Sequence, residues 1–268
     1  MGGGAHYAIN LSKISGLGLP AIEYEEKSYA GQSGITTIGR RDLPRTITLS
    51  GDVNGGQREL MKFLKTFYYP GYLICESGSI KRQIKCKCIN MDDITRRNSS
   101  NINGFVVQLK ADDPYFYDIH KTTLPLAVHE NVVTTKFTLP CAFTKRIHEG
   151  NCNNTGDIIC YPVIDIYARH EPTEGIENVI SLQNSATGSK LIINHTMVLG
   201  EVLTIDVPSR EIISNINGDV TNQLETGVEL GDFFLQVGNN DITYETSDKL
   251  QPLSIQVTYN NRYIMAVM

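Results

Sequence analysis

The six cysteines of this 268-residue sequence are candidates for metal binding or for disulfide bonds. Cys141, His148, Cys152 and Cys160 lie close together in the sequence, and thiolate and imidazole ligands suit zinc. Their spacing is irregular and contains no paired CxxC, so we expect reduced, mostly buried thiols instead of a metal site. The first seven residues carry no secretory signal, so we expect synthesis in a cytoplasm and no disulfide framework.

Acidic pairs and histidines are the other candidates for catalysis. Asp92-Asp93 and Asp112-Asp113 could serve acid–base chemistry or bind calcium, but they fall at predicted strand ends, where acidic residues usually form turns. His195 and the other histidines have no Ser or Cys next to them in the sequence that would single out a triad. No G-x-S-x-G, H-E-x-x-H, P-loop or dinucleotide-binding motif occurs. The residues therefore predict neither an enzyme nor a cofactor.

Two clusters of aromatic residues point to protein contact instead. One runs from Phe67 to Tyr72 and the other from Tyr115 to Tyr117, and aromatic side chains are enriched at interfaces. The alternative is that half of each cluster fills the core. The candidate interface residues are Tyr68, Tyr69, Tyr72, Tyr115, Phe116 and Tyr117.

The segments that would position these residues are mostly β. In Arg45–Gly51, Ile47 and Leu49 alternate with hydroxyl residues, and in Lys81–Ile89 a basic row alternates with an inward row of Ile84, Cys86 and Cys88. Gly104–Ala111 reads as a further strand. The basic row predicts a sheet face exposed to solvent or to a partner.

One segment predicts an amphipathic helix, from Gln57 to Phe67. Its apolar residues recur at helical spacing, with Asp52 and Asn54 as possible caps before it and Pro70-Gly71 ending it. The apolar stripe consists of Leu60, Phe63, Leu64 and Phe67.

The second half of the sequence predicts an antiparallel β-sandwich. Short alternating runs lie at 162–167, 179–182, 190–193, 202–206 and 253–259, and Asn215–Asp219 and Gly238–Asn240 have the composition of hairpin turns. The charge also divides: residues 1–135 hold 16 Lys and Arg against 13 Asp and Glu, and residues 136–268 hold 8 against 16. We therefore predict two domains, 1–135 and 136–268.

The order of these motifs resembles the distal tail protein family of long-tailed phages. In the first half the matching pieces are the Arg45–Gly51 strand, the Gly-rich approach to the helix, the Gly71-Tyr72-Leu73 strand, and a closing Phe105–Phe116 segment that ends in Asp-Pro-Tyr-Phe. In the second half they are 154–164 and 200–206. Glu201 departs from this pattern, since Asp is expected there. The resemblance covers nearly the whole chain.

This resemblance implies a mainly β fold, with an N-terminal β-sandwich or split barrel carrying one packed helix and a C-terminal galectin-like sandwich. It further implies a virion structural protein of a phage or prophage, located at the tail tip, whose N-terminal domains form a homohexameric ring. The implied partners are the tail tube protein, the tail-tip hub or tail-associated protein, and a receptor-binding protein, with no specific nucleic-acid binding and no membrane insertion.

The alternative is a carbohydrate-binding module, or more remotely a glycan-cleaving enzyme with two converging carboxylates. A sugar site commonly uses an exposed aromatic platform, and the sequence contains no Trp. Tyr167, Tyr244 and Tyr259 are the possible platforms.

Overall fold

The computed structural model describes residues 9–31, 33–92, 102–131, 144–248 and 253–267. The chain divides into two compact units: residues 1–119 with 263–268 form the N-terminal unit, and residues 120–262 form the C-terminal unit. This division differs from the predicted boundary at 135/136. The strand Thr122–Pro125 pairs with Leu253–Tyr259 and so belongs to the second unit, and after that unit the chain returns to the first.

Both units consist mainly of strands. The N-terminal unit contains β1 (Ile9–Ser15), β2 (Ile22–Lys27), β3 (Thr36–Asp42), β4 (Arg45–Asn54), α1 (Gly56–Lys65), β5 (Gly71–Ser77), β6 (Ile80–Asp92), β7 (Ile102–Ala111) and β8 (Phe116–Asp118). The C-terminal unit contains β9 (Thr122–Pro125), β10 (Ala127–Asn131), β11 (Thr144–Asn154), β12 (Val163–Ala168), β13 (Val179–Asn184), β14 (Lys190–Asn194), β15 (Val202–Asp206), β16 (Glu211–Ser214), β17 (Gly218–Asp219), β18 (Gly238–Thr246) and β19 (Leu253–Tyr259). The short β20 (Arg262–Tyr263) leads back to the first unit.

The N-terminal unit is built on one sheet in the order β1-β4-β7-β6-β8-β20, with β5 paired to β6, and β2 and β3 form a separate hairpin. Strands β4 and β7 pair along ten residues each. Alternate side chains of both strands, Ile47 and Leu49 on β4 and Val107 and Leu109 on β7 among them, are buried in one core. The predicted alternation in β4, β6 and β7 is confirmed.

Helix α1 is present, and the stripe that predicted it is partly confirmed. Leu60 and Phe63 are buried, whereas Leu64 and Phe67 are half-buried against the same core. The predicted side-chain caps are wrong, because Asp52 and Asn54 both lie in β4. The N-cap is Gly55, at φ 116°, and no side-chain hydrogen bond caps the helix. A positive φ of this kind is one that glycine adopts at little cost.

The burial of the stripe predicts unequal costs for two truncations. Leu60→Ala should lower the free energy of unfolding by about 2–5 kcal/mol, because it leaves a cavity beneath the helix. Leu64→Ala should cost clearly less, since part of that side chain is already in water. Urea unfolding of both variants measures the difference, and equal costs would show that Leu64 is as buried as Leu60.

Arg45 is a buried cation that joins three separate segments of the N-terminal unit. Its Nε donates to Pro114 O (2.8 Å), Nη1 to Gly16 O (2.7 Å) and Gly18 O (2.5 Å), and Nη2 to Ile264 O (2.7 Å). Burial lowers the pKa of the guanidinium from its ordinary value. Four carbonyl oxygens thus replace water around the charge, and through them one side chain fixes the segment after β1, the segment after β7 and the residues after β20.

The C-terminal unit is the predicted antiparallel sandwich. One sheet has the order β10-β11-β18-β13-β14 and the other β17-β16-β15-β12-β19-β9. Inward residues of both sheets, such as Ile180 and Leu182 of β13 and Ile164 and Ile166 of β12, share one core, as in two sheets packed face to face.

Of the two hairpin turns predicted in this unit, one is confirmed. Residues 215–217 connect β16 to β17 as expected. Gly238–Asn240 is not a turn: it begins β18, and the buried Asn240 amide donates to Cys152 O, Gln236 O and Gly238 O. Asn favours turns because its short amide can bond the local backbone, but this amide also bonds β11, a strand 88 residues away in the sequence.

Candidate functional site

The aromatic segment after α1 places three tyrosines in solvent. Tyr68, Tyr69 and Tyr72 are 79%, 75% and 62% exposed. The helix closes with backbone hydrogen bonds from residues 66–68 to Phe63, Leu64 and Lys65, and Pro70-Gly71 then starts β5. The three tyrosines lie beyond the helical stripe that covers the core, and their rings remain largely in solvent.

An apolar groove lies beside these tyrosines in the N-terminal unit. Its volume is about 780 Å³, and it lies between the end of α1 and the last residues of β6. The lining includes Met61, Leu64, Phe67, Tyr68, Ile89 and Met91, of which Met61 and Ile89 are half-exposed. Contiguous apolar surface with aromatic and Met side chains is typical of protein interaction sites.

The second aromatic cluster does not form part of this surface. Phe116 is fully buried in the core, with the Arg45 guanidinium 5.0 Å from the centre of its ring. The Tyr115 hydroxyl donates to Asp42, and the Tyr117 hydroxyl donates to Asp113. The interface prediction is therefore wrong for Phe116, and Tyr115 and Tyr117 are half-buried and engaged within their own unit.

The β2–β3 hairpin is a second exposed element, and sequence reasoning missed it. Most of its side chains are exposed on both faces, large apolar ones such as Tyr24, Ile35 and Ile38 included. A two-stranded ribbon is marginally stable by itself in water. Gly31 and Gly34, both at positive φ, were the available signal for a turn, but the flanking residues lack the apolar alternation of a half-buried strand.

A buried polar network lies in the C-terminal unit, around Glu201. The side chain is fully buried; its Oε1 accepts hydrogen bonds from His195 Nε2 (2.7 Å), Asn217 Nδ2 (3.2 Å) and the Ser214 hydroxyl, and its Oε2 accepts one from the Val198 N–H (3.0 Å). These donors come from the segment after β14 and from the end of β16 and the turn that follows it. The carboxylate therefore holds these two stretches of chain together.

These hydrogen bonds also set the charge state of Glu201. Burial by itself would raise the pKa of the carboxyl, but the bonds from Ser214, Val198 and His195 outweigh it and leave the pKa below its ordinary value. The group is thus a carboxylate at neutral pH. Ser214 donates to the carboxylate and not to the imidazole, whereas nucleophilic catalysis needs a serine bonded to its base. The arrangement is a structural network and not a triad.

Of the four residues considered for zinc, only Cys152 and Cys160 have side chains that the structure describes. Cys152 and Cys160 are buried, and burial raises the pKa of both thiols to about 12, so they are protonated at neutral pH. Cys141 lies outside the described residues, and so does the side chain of His148. Over the ranges that the structure describes, no group of three His, Cys, Asp or Glu side chains could hold a metal ion.

The tyrosines considered as sugar platforms are mostly inside the sandwich. Tyr244 and Tyr259 are buried, and their hydroxyls donate to Leu253 O (2.9 Å) and Asn153 O (3.1 Å). Tyr167 is half-buried on β12. The prediction is therefore wrong for Tyr244 and Tyr259.

In the described part of the chain, no helix is both long and apolar enough to cross a bilayer.

Comparison with known proteins gives one family and several structures. Residues 155–263 match the family described as siphovirus-type tail component, C-terminal domain. No curated protein matches the sequence. The crystal structure of SPP1 Dit, described as a paradigm of the hub adsorption apparatus in phages that infect Gram-positive bacteria, is similar with a TM-score of 0.63 at 12% identity, over 95% of this chain and 93% of that one.

Two structures of the activated phage p2 baseplate are similar at a lower level. The form with Ca has a TM-score of 0.48 and 9% identity, and the form with Sr has a TM-score of 0.49 and 8% identity. Each match covers 93% of this chain and 90% of the other.

Proposed function

We propose that this chain is a Dit-like structural component of a phage tail, which forms a hexameric ring through its N-terminal unit and joins the tail tube to the tail-tip hub. Its role at the tail tip is architectural, and the residues argued to matter are contact residues instead of catalytic ones. The six-fold number and the two neighbours come from the resemblance to distal tail proteins.

The observation that carries the ring is the apolar groove beside α1. An apolar surface bearing Tyr68 and Tyr69 at more than 70% exposure is unfavourable in an isolated soluble unit, because its contact with water is not offset by packing. Covering it with a protein surface removes that cost. Tyrosine suits the purpose, since it buries a large ring while its hydroxyl can still reach a polar partner.

The occupant that fits the groove is a second copy of this chain. A closed ring needs a heterologous contact, in which one surface of a subunit meets a different surface of the next. The N-terminal unit offers two such surfaces: the groove, and the β2–β3 hairpin with its exposed Tyr24, Ile35 and Ile38. A hairpin that is marginal alone gains stability by packing on a neighbour. We propose the hairpin of one subunit as the element that contacts the groove region of the next.

Replacing both groove tyrosines should prevent assembly while the fold is kept. Tyr68→Ser/Tyr69→Ser removes two rings that are largely in solvent, so the melting temperature should stay close to that of the wild type. Light scattering over a concentration series should give the wild type a mass approaching six times the 29.8 kDa chain and the variant the mass of a monomer. Negative-stain images should show rings only for the wild type.

Val237→Ser provides the control, because Val237 is an apolar side chain of the C-terminal unit that is about as exposed as Met61. It should assemble like the wild type. The ring is excluded if the wild type stays monomeric at every concentration and its tail tips carry no six-fold density for this chain. If the Tyr68→Ser/Tyr69→Ser variant assembles like the wild type, the interface between subunits lies elsewhere on the chain.

A further inference from the structure

A polar pocket of about 520 Å³ opens in the C-terminal unit, where β13 begins beside the end of β14. This volume lies within the range of about 300–1,000 Å³ typical of small-molecule sites. The lining includes Glu177, Asn178, Asn194, His195, Asn217 and Gln223. Unlike the groove of the N-terminal unit, this pocket is lined mainly by amide, imidazole and carboxylate groups.

The deeper side chains of the pocket are held in place from behind. Asn178 and His195 are both at least nine-tenths buried. The Asn178 Oδ1 accepts hydrogen bonds from the Thr246 hydroxyl (2.5 Å) and from Ser247 (3.2 Å). The imidazole of His195 is bonded on both sides, to Glu201 through Nε2 and to Gln223 Oε1 (2.6 Å) through Nδ1. The base of the pocket is therefore preorganised, which lowers the entropic cost of binding.

The side chains nearer the opening keep unused hydrogen-bonding capacity. Within the ranges that the structure describes, the Asn194 amide and the Glu177 carboxylate make no side-chain hydrogen bond. The Gln223 amide contacts His195 through one of its two polar atoms, which leaves the other for a ligand. The Thr196 hydroxyl accepts from the Asn178 N–H (3.0 Å), which leaves its own proton to donate. Donors and acceptors are thus mixed around one opening.

The charge around the pocket selects against anions. The C-terminal unit holds 9 Lys and Arg against 17 Asp and Glu, a net charge of −8, and Glu177 lies in the lining with Glu201 behind it. A ligand that carries phosphate or carboxylate would meet electrostatic repulsion in such a field. A neutral ligand would not.

From this chemistry we infer that the pocket binds a neutral saccharide unit of a glycan chain. Each sugar hydroxyl both donates and accepts, which matches a rim of two amides, a hydroxyl and a carboxylate. The site is a pocket at the end of two strands and not an aromatic platform on a sheet face.

The test is binding of neutral glycans to the purified chain. A glycan array that includes neutral bacterial surface glycans identifies a ligand, and saturation-transfer NMR with the corresponding mono- or disaccharide measures it. We expect a millimolar Kd, weakened about tenfold or more by Asn194→Ala and by Glu177→Ala, since each removes a hydrogen-bonding group from the rim. Glycerol phosphate and glucuronate serve as anionic probes and should not bind.

Matched controls keep the result specific to the pocket. Asn239→Ala and Glu229→Ala replace residues of the same types in the same unit, outside the lining, and should bind like the wild type. The inference is overturned if no neutral glycan binds, if the anionic probes bind more tightly, or if both rim variants retain wild-type affinity. None of these outcomes depends on ring formation, because the pocket lies within a single C-terminal unit.

Discussion

Arg45→Met should destabilise the N-terminal unit by about 3–5 kcal/mol, the cost typical of removing one side of a buried ionic or hydrogen-bonded group. The substitution keeps an unbranched apolar stem but removes the guanidinium that donates to the carbonyls of Gly16, Gly18, Pro114 and Ile264. Each buried carbonyl left unpaired costs about 1–3 kcal/mol. Calorimetry should show the loss in the transition that belongs to the N-terminal unit, with the C-terminal transition unchanged.

Two further substitutions make this result specific. Arg58→Met removes an exposed arginine from α1 and should change the free energy of unfolding by no more than about 0.5 kcal/mol. Arg45→Lys should recover only part of the loss, because an ammonium is a compact point donor and cannot present the planar fork that reaches separated carbonyls. An Arg45→Met protein as stable as the wild type would mean that water satisfies those carbonyls.

Glu201→Ala should have a comparable effect on the C-terminal unit, about 3–5 kcal/mol. Removing the carboxylate leaves His195, Ser214, Asn217 and the Val198 N–H without their acceptor inside the sandwich. Urea unfolding of the wild type and the variant measures the loss. Glu211→Ala, an exposed glutamate of the same unit, should be close to neutral.

The contribution of Glu201 should also depend on pH, with a defined sign. Its pKa is lower in the folded protein than its ordinary value, so the unfolded chain binds the proton more readily. The stabilisation is therefore complete above the unfolded pKa of about 4.3 and is lost as the pH falls through the lower, folded pKa. The difference in stability between wild type and Glu201→Gln should be constant near neutral pH and should shrink in that acidic range. A difference that grew on acidification would contradict this account.

Sequence periodicity located the elements that have one buried face. β4, β7, β12 and β19 alternate between apolar and polar residues because one face of each packs on a core, and a period of two is a local property that can be read from one segment. The same criterion missed β2 and β3, whose residues are largely exposed on both faces. The turn predicted at Gly238–Asn240 rested on its Asn and Gly composition, and it was wrong because the segment begins β18 and the Asn240 amide forms its hydrogen bonds inside the protein.

The functional residues were harder to foresee, because their environment is set by distant segments. Tyr68 and Phe116 belong to similar aromatic clusters, yet one is exposed and the other buried, and the difference depends on what packs beside them. His195 and Glu201 are six residues apart, but their network also needs Ser214 and Gln223 from later parts of the chain. From the sequence, Glu201 stood out only as a departure from the Asp that the resemblance led us to expect.

The return of the chain to its first unit affects the order in which the protein can mature on the ribosome. The Arg45–Ile264 hydrogen bond spans 219 residues of sequence, so the first unit cannot be completed until the whole C-terminal unit has been translated. Contacts between residues so distant in the sequence tend to form late in folding, because the loop between them must close before the contact can stabilise the fold. A polypeptide that ends before Ile264 therefore lacks one of the acceptors that replace water around the buried Arg45 guanidinium.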